Sequence, residues 1–185
     1  TELKYPVRFV GKERRVYLSG EAYFEVQRDT AKPFIVVMNG NEVRVLGTEF
    51  NVRSYKDEKC QFTTLVTGKV LLTTSDRKCM ELLPNEQGIV DPQGELRKEQ
   101  VDVALYTAWK DGNFVFRKQC LENIMEIVER WYDLKVTFED EWCKQVSFSG
   151  NVERYDDFSK LAEMLEATGS VKFKIKNNEI YVTKR

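Results

Sequence analysis

Residues 43–55 read VRVLGTEFNVRSY, and the reading of this stretch decides the fold of the first half of the chain. Val43 and Val45 alternate as on one face of a strand, Leu46-Gly47-Thr48 interrupts them, and Phe50 and Val52 resume in the opposite phase. A glycine between two strand patterns either cradles a ligand or lets the backbone turn. A phosphate loop would require GxxxxGK[ST] or GxGxxG leading into a helix, and neither occurs here. The stretch therefore reads as two short strands joined by a bend at Gly47.

The same logic extends outward on both sides. Val16 and Leu18 lead to Gly20, and Ala22, Phe24 and Val26 carry the same face onward. PFIVVM (33–38) reads as a short buried strand followed by the turn Asn39-Gly40-Asn41. CQFTTLVTGKVLLTT (60–74) puts Phe62, Val66, Val70 and Leu72 at one parity around Gly68, and MELLPNEQGIV (80–90) reads as a last hairpin turning at Pro84-Asn85. Glycines at 20, 47, 68 and 88 recur at intervals of 27, 21 and 20 residues, as if the chain bent at similar places in successive layers. The expectation is an all-β unit over 1–94 of stacked short strands, sandwich or solenoid-like, the period being too loose for a regular solenoid, with Gly20, Gly47 and Gly68 as structural bends.

The polar turn Asp91-Pro92-Gln93-Gly94-Glu95 ends that pattern, and residues 95–110 read as a connector with one helical turn. From 111 to 185 the period alternates between 2 and 3.6. The expected order is FVF (114–116), a helix from Leu121 to Trp131, KVTF (135–138), VSFSG (146–150), a helix from Asp156 to Ala167, VKFKI (171–175) and, after Asn177-Asn178, IYVT (180–183). Leu121, Ile124, Val128 and Trp131 make the first helix stripe, and Phe158, Leu161, Leu165 and Thr168 make the second. A shift of 37 residues overlays Leu121 on Phe158, Ile124 on Leu161, Val128 on Leu165, Val136 on Phe173 and Phe138 on Ile175. The second unit is thus expected as two β-α-β copies plus a strand, β-α-β-β-α-β-β, and the whole chain as mainly β plus α+β.

Composition narrows the chemistry. The 185 residues hold 42% apolar and 32% charged residues, enough apolar surface for two small cores, and no apolar run of 18 that would span a membrane. Net charge is −1, with 16 basic and 16 acidic residues up to 108 and 13 and 14 after it, so neither part has the basic excess of a nucleic-acid binder. The aromatics of the second part lack the K/R-G-F/Y-G/A-F-V motif of an RNA-recognition domain and read as core. Histidine is absent, which removes the commonest general base and most zinc sites. Cys60, Cys79, Cys120 and Cys143 form no CxxC, so they read as free or half-buried thiols, with a Cys60–Cys79 bridge left open. No catalytic residue, metal or cofactor is expected. Glu21 and Glu25 lie four residues apart on one strand, about 13 Å at a rise of about 3.3 Å per residue, too far for a glycosidase pair; with Glu49 they read as a solvated face.

VYLSGEAYFEV (16–26), PFIV (33–36), VRVLGTEFNVRSY (43–55), TTLVTGKVLL (63–72), YTAWKDGNFVF (106–116) and LENIMEIVERWYDLKVTF (121–138) together resemble the periplasmic region of FecR-family anti-sigma factors. The second part is similar to the secretin and TonB short N-terminal domain, so the resemblance implies a FecR domain over 1–94 and such a domain over 111–185. Tyr5-Pro6 matches a "YP" pair that ends the family's early strands. The resemblance implies an upstream cytoplasmic sigma-binding segment and one transmembrane helix, with this chain as the periplasmic part of a single-pass inner-membrane protein of a Gram-negative cell.

What the resemblance implies about function is signal relay without enzyme activity. A loaded TonB-dependent outer-membrane transporter presents its periplasmic signalling domain, and a sigma factor for extracytoplasmic-function genes is regulated through the cytoplasmic segment. Inputs in the family are iron complexes or glycans. Strand edges in the second unit suit pairing with a partner strand, and Val146, Ser147, Phe148, Ser149 and Gly150 are the expected interface. The alternative function is a carbohydrate-binding β-rich envelope module.

Overall fold

The computed structural model describes residues 1–153 and 158–185, and their contacts divide the chain into two units, Thr1–Thr107 and Ala108–Arg185. The first unit runs β1 (Glu2–Lys4), β2 (Arg14–Val26), β3 (Phe34–Met38), β4 (Asn41–Val45), β5 (Thr48–Ser54), β6 (Gln61–Thr67), β7 (Val70–Thr73), β8 (Cys79–Leu82), β9 (Glu86–Val90), β10 (Leu96–Gln100) and the single turn α1 (Ala104–Thr107). Asn39 and Gly40 both take positive φ, 44° and 83°. Two successive positive φ angles are what a tight type I′ hairpin demands, and Asn-Gly supplies them at the β3–β4 turn.

The long β2 serves two half-sheets. Arg14–Tyr17 pairs in parallel with β3, while Gly20–Val26 pairs antiparallel with β5. Gly20, at φ 114°, stands where the strand passes from one to the other. One path then continues β3-β4-β7-β8 and the other β5-β6-β9-β10. Val36, Val43 and Leu72 from the first path and Phe50, Val52 and Leu65 from the second join in one core cluster. The unit is therefore a sandwich of two half-sheets that share β2.

Three expectations change here. Residues 80–90 are not a hairpin: β8 pairs with β7, and β9 pairs with β6 and β10. Asn85 donates its N–H to the Leu65 carbonyl at 3.0 Å and accepts from Val101 N–H at 2.8 Å, which ties the turn to the second half-sheet. Residues 95–110 are more than a connector, because Leu96–Gln100 adds β10 to β9. Finally, the core face of β6 is Thr63 and Leu65, not Phe62 and Val66. Gly68, at φ 91°, turns the chain between half-sheets and shifts the phase, as Gly47 does two strands earlier.

The second unit runs β11 (Asn113–Cys120), α2 (Leu121–Tyr132), β12 (Lys135–Phe138), β13 (Ser147–Glu153), α3 (Ser159–Glu166), β14 (Val171–Lys176) and β15 (Glu179–Lys184), with short 3-10 turns at Ala108–Asp111 and Glu141–Gln145. This is the expected β-α-β-β-α-β-β order. β11 and β13 pair antiparallel, and a second sheet has the order β12-β15-β14. Leu121, Ile124 and Val128 on α2, with Leu161 and Leu165 on α3, pack against Phe114, Phe148, Val171, Ile180 and Val182 in one core. Trp131 lies over Phe114, with ring centroids 4.0 Å apart. The expected start of the second helix at Asp156 lies outside the described residues. The repeat fades at its end, where Phe138 is half-buried but Ile175 is 44% exposed.

Candidate strand-edge interface

Sheet edges are where this fold can meet another chain, because an edge carries unpaired backbone donors and acceptors. In the order β12-β15-β14 both outer strands have an outward donor already taken. Val136 N–H donates to Glu129 Oε1 at 2.7 Å, and Phe173 N–H donates to Glu166 Oε1 at 2.5 Å. Glu129 lies in the last turn of α2 and Glu166 ends α3, and the two lie 37 residues apart, as do Val136 and Phe173. Each helix thus folds a carboxylate back onto the strand that follows it. An acidic group in the last turn opposes the helix dipole, and the strand N–H gives it a compensating partner. Sequence reasoning missed this pair, although the offset that aligned the apolar stripes also aligns the two glutamates.

The edge of β13 is different. Leu121 N–H donates to the Val146 carbonyl at 2.8 Å, and the register sets Cys120 opposite Ser147 and Gln119 opposite Phe148. Antiparallel residues alternate between bonding their partner strand and facing away from it. Phe148 and Gly150 accordingly bond toward β11, and the backbones of Ser147, Ser149 and Asn151 face the other side. Among the described residues, β13 pairs with β11 alone. Phe148 and Val152 turn their side chains into the core, while Ser147 and Ser149 are exposed. Val146 precedes the strand and is half-buried, its carbonyl holding the start of α2. The ladder is interrupted between Phe116 and Gln119, where Lys118 takes φ 49° and donates its N–H to Ser149 Oγ at 2.8 Å. Ser149 therefore also holds a bulge.

The carboxylates considered for chemistry are engaged in the sheet. Glu21 accepts from Asn51 Nδ2 at 2.8 Å, and Glu49 accepts from the Tyr23 hydroxyl at 3.1 Å. Register places Glu25 opposite Glu49, a pairing that strand spacing alone did not reveal. The four cysteines are free thiols, and burial pushes the Cys143 thiol above its ordinary value. Among the described residues no group of three His, Cys, Asp or Glu side chains could hold a metal ion, and no helix is long and apolar enough to cross a membrane.

Residues 1–71 match the model of the FecR protein family, and residues 113–182 match that of the FecR C-terminal region. The chain belongs to the FecR family. The first match covers the sandwich as far as β7, and the second covers the unit that contains both glutamate-capped edges and β13. This FecR-family chain is similar to a crystal structure of a candidate anti-sigma factor from Parabacteroides distasonis, at 29% identity over 99% of this chain and 86% of that one, with a TM-score of 0.85. A second crystal structure with the same description matches at 29% identity over 99% and 85%, with a TM-score of 0.84. A comparison with curated proteins gives no match. Both units of the chain thus carry FecR-family matches.

Proposed function

We propose that residues 1–185 are the periplasmic sensor and relay region of a membrane-anchored anti-sigma factor. The region receives its signal from the periplasmic signalling domain of a TonB-dependent outer-membrane transporter and catalyses no reaction. Control of the sigma factor belongs to the family's cytoplasmic segment, reached through a transmembrane helix, and not to these residues.

The observation that carries the reading is the open edge of β13. Glu129 and Glu166 occupy outward donors on β12 and β14, whereas Ser147, Ser149 and Asn151 offer a run of backbone groups with no strand beside them. An added partner strand would gain main-chain hydrogen bonds there, and the exposed serines would leave room for its side chains. The interface proposed is Val146–Gly150, extended by Asn151.

Calorimetric titration of this chain with the amino-terminal signalling domain of the transporter encoded beside it tests the reading. Ser147→Pro removes an outward N–H and leaves the β11 ladder intact. It is expected to weaken binding by roughly tenfold or more with an unchanged melting temperature. Equal affinity would remove β13 from the interface. Absence of any binding, with saturable binding of a soluble oligosaccharide instead, would favour a glycan-binding module.

A further inference from the structure

The stretch around Gly47 does more than turn the chain. Gly47 and Gly68 pack together so closely that a Cβ on Gly68 would lie 2.7 Å from the Gly47 carbonyl oxygen. Beside these two glycines lies a half-open cavity of about 490 Å³. Its apolar wall includes Pro33, Leu46 and Leu71, and its cations are Arg28, Arg44 and Lys69. Leu46 is 42% exposed and Leu71 38%, so apolar surface stands open to water in a concave setting.

The charged residues that line it are all basic. Three cations and no carboxylate line the cavity. Arg44 gives Nη2 to Glu13 at 2.6 Å, and Lys69 pairs with Glu81 at 2.9 Å with both side chains more than half exposed. Such an exposed pair is weak and exchanges readily for a better anion. Arg28 makes no ion pair among the described residues; its Cα, Cβ and Cγ lie against Gly47, and the residue lines the cavity. Small-molecule sites occupy about 300–1,000 Å³, are mostly apolar and carry a few convergent polar groups.

We propose that this cavity binds a small anionic amphiphile, a medium-length hydrocarbon chain ending in a carboxylate. The chain lies on Leu46, Leu71 and Pro33, and the head group meets Arg28 with Arg44 and Lys69 beside it. The site belongs to the first unit and is independent of the β13 edge, so its failure would leave the relay reading standing.

Nitrogen-15-edited NMR titration of the whole chain with sodium decanoate, below its micelle concentration, tests the site. Saturable shifts are expected at Leu46, Gly47, Gly68 and Leu71, and decanol and decylamine should bind about tenfold or more weakly. Leu71→Asp should abolish the shifts. Arg28→Ala, which keeps the Cβ against Gly47, should weaken decanoate about tenfold without changing the weak binding of decanol. If Leu71→Asp fails to fold, the Arg28→Ala comparison decides alone. Shifts that do not saturate, that map elsewhere, or that decylamine reproduces at equal concentration would overturn the proposal.

Discussion

Glu166 Oε1 accepts the backbone N–H of Phe173 at 2.5 Å, so a side chain from the preceding helix takes an outward donor on an outer strand of the second sheet. Glu129 does the same for Val136 at 2.7 Å in the other copy of the repeat. Each contact takes one outward donor on an outer strand of the second sheet, whereas β13 keeps consecutive outward groups with no strand beside them. Replacing Glu129 or Glu166 by alanine should destabilise the second unit by about 1–2 kcal/mol each, since a hydrogen bond to a charged group is lost from half-buried sites. The glutamine variants keep an acceptor oxygen and should lose less. Thermal melting reads the difference, and equal melting temperatures for all four variants and the parent would show that the carboxylates cap nothing.

Gly47 is required by space. Its φ lies outside the left-handed region, yet a Cβ there would come within 2.6 Å of Arg28 Cα and 2.5 Å of Arg28 Cβ. The approach is fixed by Asp29 N–H donating to the Leu46 carbonyl at 2.7 Å. Gly47→Val must therefore push Arg28 and its backbone away, and overpacking of this kind destabilises by about 1–3 kcal/mol. A lowered melting temperature is expected for both Gly47→Ala and Gly47→Val, larger for valine. Wild-type stability in both would mean that the Arg28 backbone moves aside freely.

The fold was legible where local chemistry decides it. Asn39-Gly40 announced its hairpin, the stripes of Leu121, Ile124 and Val128 and of Leu161 and Leu165 announced two helices, and the phase break at Gly47 announced a change of strand. Partner choice between strands was not legible in the same way. Residues 79–82 and 86–90 look like a hairpin because Pro84-Asn85 is a good turn, but Asn85 is held by Leu65 and Val101, contacts that no local pattern encodes. The phase shift at Gly68 was missed for a related reason, since a turn between half-sheets resets parity and a continuous count across it misplaces Phe62. The candidate edge was half legible: Val146–Gly150 reads as a strand from its alternation, but its openness rests on β13 pairing with β11 alone, and the donors that Glu129 and Glu166 take on the other sheet lie outside that pattern. Those glutamates were visible in the 37-residue offset, and an apolar comparison passes over them.

Arg53 anchors the polar face of the first sandwich. Its Nε and Nη2 meet the Glu58 carboxylate in three contacts of 2.6 to 3.0 Å. Burial works to lower the Arg53 pKa, but the hydrogen bonds and charge of Glu58 prevail and hold it above its ordinary value. Arg53→Ala would leave the largely buried Glu58 without that guanidinium and should cost about 2–3 kcal/mol, short of the about 3–5 kcal/mol for a fully buried pair. Arg53→Ala with Glu58→Ala should cost less than the sum of the single changes, because the two residues contact each other. Strict additivity in denaturant unfolding would show that the pair is uncoupled.

Glu86 gives the first unit a pH dependence whose sign follows from its contacts. The carboxylate accepts Leu83 N–H at 2.8 Å and Lys98 Nζ at 3.0 Å. The Leu83 hydrogen bond first, and then Lys98, lower its pKa from the ordinary 4.5 and outweigh the effect of burial. A carboxylate with a lowered folded-state pKa stabilises the fold above its unfolded-state value, and that stabilisation is lost as pH falls through the folded-state value. Glu86→Gln can still accept from Leu83 but loses the attraction to Lys98. It should therefore melt below the parent at neutral pH, with the gap narrowing as pH falls below 4.5. Melting curves of both proteins from neutral to acidic pH measure that gap directly; a gap that stays constant with pH would assign the difference to packing and not to the charge on Glu86.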